Sequence, residues 1–214
     1  MRPRILDLFS GAGGAAMGYH RAGFDVVGVD IKPQPNYPFQ FVLIDALAAL
    51  RDKYWLQDFE AIHASPPCQD HMMTPHRKHG TGWLLPATRD LLEASGLPWV
   101  IENVPGAPMR ADFKLCGCQF DLELRRERWF ETSWHGFQMS YSHNHEKPVP
   151  SVVGHGTPSW VRHKLGYNPT IAHYRAAMGI GWMNRGELSQ AIPPDYTEFI
   201  GEQLMAHLKA SAAA

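Results

Sequence analysis

The sequence predicts an α/β protein: a Rossmann-like, mostly parallel sheet carrying a small loop-rich insert. Three observations predict it. Apolar stretches of strand length alternate with helix-patterned stretches through the first hundred residues. The strands are short, near-continuous apolar runs, the pattern of a sheet covered by helices on both faces. The first strand also runs directly into a glycine-rich turn that opens a helix, a corner at which open α/β sheets place ligands.

The elements follow in order. Residues 4–9 form the first strand, Ser10-Gly11-Ala12-Gly13-Gly14 the turn, and residues 15–22 a short helix closed by Gly23. Residues 25–30 and 39–45 form the next two strands, and a helix follows over 46–54. Residues 59–65 form a fourth strand, ended by Pro66 and Pro67 because proline fixes φ and lacks an N–H. A helix over 84–95 stops at Gly96, and residues 99–104 form a fifth strand. Beyond Pro105 the pattern loosens. Residues 128–132 read as a strand, the chain turns helical again from Ala172, and 195–210 is helix after Pro193-Pro194. Residues 1–134 plus 171–214 are thus expected to make one domain, with 135–170, rich in His, Gly, Pro, Ser and Trp, as the insert.

Composition narrows the class. A chain of 214 residues, 44% hydrophobic, suits one domain with a proper core. No apolar run approaches the roughly 18 residues of a membrane span, and residues 1–6 enter a strand with no signal-peptide pattern. Three cysteines do not suggest a disulfide framework. The expectation is a cytoplasmic protein with no membrane partner. Formal net charge is −1, so affinity for a polyanion must come from a local patch. Residues 121–186 hold eight Lys/Arg against five Asp/Glu, and six of the twelve histidines.

Two ends of the sheet carry chemistry. At one, Phe9-Ser10-Gly11-Ala12-Gly13-Gly14 offers close backbone approach and a helix N-terminus. Asp30 ends the second strand, where a carboxylate holds a ribose diol, and Asp45 ends the third, where it meets an adenine amino group. The glycines are too closely set for the pyrophosphate spacing, so an adenosine ligand without a pyrophosphate fits better. At the other, Cys68 follows two prolines at a strand end. A cysteine there is a buried small hydrophobe or a nucleophile. The prolines and the polar Gln69-Asp70-His71 that follow favour the second reading.

Taken in order, Asp7-Leu8-Phe9-Ser10-Gly11-Ala12-Gly13-Gly14, Pro66-Pro67-Cys68-Gln69, Glu102-Asn103-Val104, Arg126-Glu127-Arg128 and Ile192-Pro193-Pro194 resemble the motifs of the cytosine C5-methyltransferase family, over roughly residues 4–134 and 172–205. The resemblance implies S-adenosyl-L-methionine as cofactor and double-stranded DNA as partner. It implies Cys68 as the thiolate adding to cytosine C6 and Glu102 as the group bonding N3 and the exocyclic amine. Asn103 would orient that strand end. One of Arg126 and Arg128 would bond the cytosine O2, and both would favour the thiolate. The cofactor set extends by the same resemblance to Ile31, Ala46, Pro66 and Ala191. In a duplex the base must be flipped out to be reached. Gln69, with His71, His76, Arg77 and Lys78 in the following loop, resembles the family's mobile segment that closes over it, a place for phosphate contacts.

The chain also departs from the family. Only about forty residues, 133–171, fill the place of a substantial target-recognition region. They leave Trp134, His143, His145, Trp160, Arg162, His163 and Lys164 as contacts to base or phosphate. Leu124 stands where the family has Gln, and Ser189-Gln190-Ala191-Ile192-Pro193 where it has Gly-Asn-Ala-Val-Pro. The short insert suits a phage-encoded or solitary bacterial enzyme, expected to be a monomer, with a partner for sequence recognition as the alternative. It also leaves open RNA, a free cytosine nucleotide, or a relative that binds without turnover. Cys116-Gly117-Cys118 together with His143 and His145 could ligate zinc, but C-x-C is too tight for the usual C-x₂₋₄-C knuckle, and no metal is expected there.

Overall fold

The computed structural model describes residues 2–67, 80–137, 145–153 and 156–213. Cys68, Gln69, His71, His76, Arg77, Lys78 and His143 lie outside the described residues. The described elements run β1 (Arg4–Leu8), α1 (Gly14–Arg21), β2 (Asp25–Asp30), β3 (Gln40–Leu43), α2 (Ala46–Arg51), α3 (Lys53–Leu56), β4 (Ala61–Ala64), α4 (Leu84–Ser95), β5 (Trp99–Asn103), β6 (Phe113–Leu115), a 3₁₀ turn (Gly117–Gln119), β7 (Arg128–Thr132), α5 (Ser159–Leu165), α6 (Ile171–Met178), α7 (Arg185–Gln190) and α8 (Pro194–Ala212). None of these helices is long and apolar enough to cross a membrane.

The strands form one sheet in the order β3-β2-β1-β4-β5-β7-β6. Strands β1 to β5 pair in parallel, whereas β7 pairs antiparallel with both β5 and β6. The order reverses between β1 and β4, which opens a crevice at their carboxyl ends. Strand β6 has three residues and too little period to be read from sequence.

Alternation along each strand divides the core. Ile5, Val26, Ala61, Val100 and Phe130 pack with Tyr19 of α1 and Tyr196 and Ile200 of α8 on one face. Leu6, Leu8, Val27, Val29, Ile62 and Ile101 pack with α2 and α4 on the other. The carboxyl end of the first face is polar: Asp7, His63 and Glu102 are all buried there, at strand positions that continue the Ile5, Ala61 and Val100 rows.

The C-terminal third closes over the glycine turn. Gly13 takes the left-handed region, φ 84°, as N-cap of α1. A Cβ on Gly14 would lie 2.4 Å from the Ile192 carbonyl oxygen, so a residue with a side chain would push the last motif off the turn. The Trp182 indole N–H donates to the Ala12 carbonyl at 2.8 Å, and the Thr197 hydroxyl to the Ala15 carbonyl at 2.9 Å.

Candidate active site

A cleft of about 650 Å³ opens at the carboxyl ends of the parallel strands, within the usual range for a small-molecule site. Phe9, Ser10, Gly11, Ala12 and Gly14 line it from the turn, Asp30, Ile31, Asp45 and Ala46 from the β2 and β3 ends, and Pro66 and Ala191 from the far wall. Gly13 is not in the lining: its Cα faces Tyr37 and Pro38 instead.

The two carboxylates at the β2 and β3 ends also serve the backbone. Asp30 accepts from the Gly11 N–H at 3.0 Å and the Lys32 N–H at 2.9 Å, which fixes the turn against β2. Asp45 caps α2, accepting from the Ala48 N–H at 2.9 Å. A carboxylate has about four lone-pair sites, so neither is saturated.

Glu102, Asn103 and Arg128 meet at the other end. The cleft lining includes Glu102, Val104, Arg128, Pro66 and Pro67. Arg128 Nε lies 2.9 Å from Glu102 Oε1, with side-chain exposures of 14% and 7%, so this pair is screened little by water. The N–H is poorly aimed, and among the described residues Oε1 has no hydrogen-bond partner. Burial raises the Glu102 carboxyl above its ordinary value, while Arg128, Arg126 and a hydrogen bond from Ser65 oppose that rise. The Asn103 amide donates to the Pro66 carbonyl at 2.9 Å, and its oxygen accepts from the Val104 N–H. It therefore ties the end of β5 to the strand end that leads into Cys68.

A buried polar row backs this end. The Tyr19 hydroxyl lies 2.9 Å from His63 Nδ1, and the Ser65 hydroxyl 2.8 Å from Nε2. Burial lowers the His63 pKa to about 3, so the imidazole stays neutral at physiological pH. His63 and Ser65 were missed from sequence. A histidine inside an apolar strand is a weak signal.

Asp7, part of the first motif, is a third residue to which pattern reading gave no role. It is 1% exposed, lines the cleft, and is 3.4 Å from the donating Tyr37 hydroxyl, with Oδ1 unpartnered among the described residues. Burial, with a smaller contribution from Asp30, raises its pKa to about 8 against the Tyr37 hydrogen bond. As pH rises, the unfolded chain ionises first, so stability falls progressively from about pH 4 towards pH 8. Asp7→Asn is expected to flatten that fall and to be the more stable form at pH 8, by a margin on the order of a few kcal/mol. Urea midpoints at pH 5 and pH 8 check this; equal pH dependence in both proteins would refute it.

Comparison with known proteins gives a consistent picture. No family model matches the chain. A curated relative, the type II methyltransferase M1.HphI of Haemophilus parahaemolyticus, is 36% identical over 80 residues, covering 32% of this chain and 22% of its own length. The chain thus spans under a quarter of that protein. A putative DNA modification methyltransferase encoded within a prophage (E. coli) matches with TM-score 0.67 at 15% identity, over 97% of this chain and 99% of that one. The S. pombe Dnmt2 methyltransferase matches with TM-score 0.66 at 13% identity, over 96% and 99%. Spodoptera frugiperda DNMT2 matches with TM-score 0.65 at 11% identity, over 95% and 99%.

The fold is a methyltransferase fold.

These solved structures share the fold expected from the motifs. Within the methyltransferase fold, several sequence expectations need correcting. Arg126 does not line the cleft. It is buried, and its guanidinium donates to the Val152 carbonyl at 3.2 Å and the Ser189 carbonyl at 2.7 Å. Arg126 and Arg128 diverge because β7 begins only at Arg128. Trp134 is core, 7% exposed and stacked on His207 at 5.7 Å. On β7, Glu131 is buried against Arg89, with N–O distances of 2.7 and 3.1 Å, and lies 3.6 Å from Arg110. Leu124, in the place of the family's Gln, packs beside Ala12, Tyr174 and Met178.

The insert contributes an exposed surface away from the cleft lining. Trp160, Arg162 and Lys164 lie on α5, which is anchored by the buried Val161. Trp160 is 62% exposed, and the Lys164 ammonium sits 5.4 Å from its ring centroid. An aromatic face beside basic side chains is a surface on which a base stacks and a phosphate binds.

Proposed function

We propose that the chain transfers a methyl group from S-adenosyl-L-methionine to C5 of cytosine in DNA, through a Cys68–C6 adduct on a flipped-out base. The observation that carries this reading is the buried Glu102–Arg128 pair in the cleft, tied through Asn103 to the Pro66-Pro67 strand end that precedes Cys68. The donor set suits the cofactor. The glycine turn, the Asp30 and Asp45 carboxylates, and the buried Ser10 hydroxyl and Asp7 Oδ1, both unpartnered among the described residues, surround one continuous space. When bound, the cofactor supplies an electrophilic methyl group.

The remaining chemistry falls to this chain. Cytosine C5 is a weak nucleophile until a thiolate adds at C6. As the Cys68 sulfur forms its bond to C6, electron density shifts onto the ring, and Glu102 meets it with a proton at N3. A carboxyl pushed upward by burial keeps that proton nearer neutral pH than an exposed one does. Arg128 holds the Glu102 side chain and offers its remaining donors to O2. After C5 takes the methyl group, loss of the C5 proton to a base through water lets the C–S bond break and restores the thiolate. Nucleic-acid contact is assigned to Gln69, His71, His76, Arg77 and Lys78 after the nucleophile, and to Trp160, Arg162 and Lys164 on the insert.

The test is incorporation of labelled methyl groups into duplex DNA, RNA and dCMP side by side. Incorporation at cytosine C5 in duplex DNA is the expected result. Labelling of RNA or dCMP alone would move the same chemistry to another substrate, and no labelling of any of them would refute turnover.

A further inference from the structure

The first half of the insert meets the catalytic domain through an arrangement that methyl transfer does not use. Cys116 Sγ and Cys118 Sγ each lie 3.5 Å from the same atom, His145 Nε2. The three atoms lie within 4.8 Å of one another. Cys116 is buried and Cys118 half-buried.

We propose that Cys116, Cys118 and His145 form a zinc site that clips the insert to the catalytic domain. With Zn–S near 2.3 Å and Zn–N near 2.0–2.1 Å, tetrahedral angles set each S–N separation at about 3.6 Å. The observed 3.5 Å agrees for both sulfurs. Hydrogen bonding explains the convergence less well, because one imidazole nitrogen has a single lone pair or a single proton for two thiols. Two thiolates and a neutral imidazole also cancel the charge of Zn²⁺, which suits a half-buried site. Three protein ligands leave one tetrahedral position for water.

Local structure overcomes the tight C-x-C spacing. Cys116 is extended (φ −137°, ψ 149°), and the chain then turns through the 3₁₀ segment Gly117–Gln119, which brings the second sulfur beside the first. A Cβ on Gly117 would lie 2.3 Å from the Leu124 carbonyl oxygen, so only glycine lets this turn pack there. The Gln119 backbone N–H donates to the Cys116 carbonyl at 2.9 Å, and its side chain accepts from the Cys116 N–H at 2.6 Å. The Arg125 guanidinium donates to the carbonyls of His145 and Lys147, holding the third ligand's backbone in place. The site stands directly before the arginine motif and so fixes where the insert leaves the domain that carries Glu102 and Arg128. It does not depend on the methyl-transfer reading.

The test uses the full chain, reduced and purified without chelator, equilibrated with a slight excess of zinc and gel-filtered. One zinc per chain is expected by elemental analysis. His145→Gln and Cys118→Ser are each expected to lose it while keeping the circular-dichroism spectrum. Should either variant fail to fold, cobalt(II) added to the Cys68→Ser chain decides. A thiolate-to-cobalt charge-transfer band with tetrahedral visible bands supports the site, and neither band overturns it. A chain that holds no zinc, a mass two hydrogens low from a Cys116–Cys118 disulfide under these conditions, or full zinc content in both variants would also overturn it.

Discussion

Cys68→Ser is expected to abolish methyl transfer, by at least about 10³-fold in kcat, on the scale seen when a catalytic nucleophile is deleted. A serine hydroxyl is far less acidic than a thiol and adds poorly to C6. Stability should change little, because the exchange conserves side-chain volume. DNA containing 5-fluorocytosine sharpens the test, since fluorine at C5 leaves no proton to remove and the adduct cannot be resolved. Wild-type protein with cofactor should form a complex that survives denaturing electrophoresis, and Cys68→Ser should form none. Trapping that persists in Cys68→Ser would assign the nucleophile elsewhere.

Glu102→Gln is expected to lower kcat by about 10²–10⁴, the range for loss of a positioned acid. The amide keeps the shape but supplies no proton to N3. Stability should fall as well, by about 1–3 kcal/mol, because the half-buried Arg128 is left without its counter-ion. Pairing Glu102→Gln with Arg128→Met should restore much of the stability and none of the activity. Recovery of both together would make the pair structural. Because burial raises the Glu102 carboxyl, activity should decline as pH rises through its pKa, and that limb should vanish in Glu102→Gln.

The positions of Glu102 and Pro66 were legible because strand ends can be read from pattern. Short apolar runs closed by Gly, Pro or Asp marked β1, β2, β4 and β5, and the C-terminal ends of parallel strands converge on one edge. Side-chain direction beyond a strand was not legible. Arg126 and Arg128 are two apart, which suggested a shared side, yet Arg126 precedes β7 and turns to carbonyls of residues 152 and 189. Trp134 read as an aromatic available to nucleic acid, but it is core because His207 of α8 returns beside it. Asp7 and His63 were hidden in apolar strands. Their importance comes from partners 30 and 44 residues away, Tyr37 and Tyr19.

The sequence by itself determined the α/β class, the order of the parallel strands' elements and the motif residues at the strand ends, because periodicity and turn chemistry are local properties of the chain. Tertiary structure decided which of those residues meet. Glu102 found Arg128 through antiparallel pairing of β5 with β7, and Ser65 reached Glu102 from the neighbouring strand. Cys116, Cys118 and His145 came together although His145 lies 27 positions beyond Cys118 in the chain. Such contacts depend on where distant segments cross, and spacing along the chain carries no record of that.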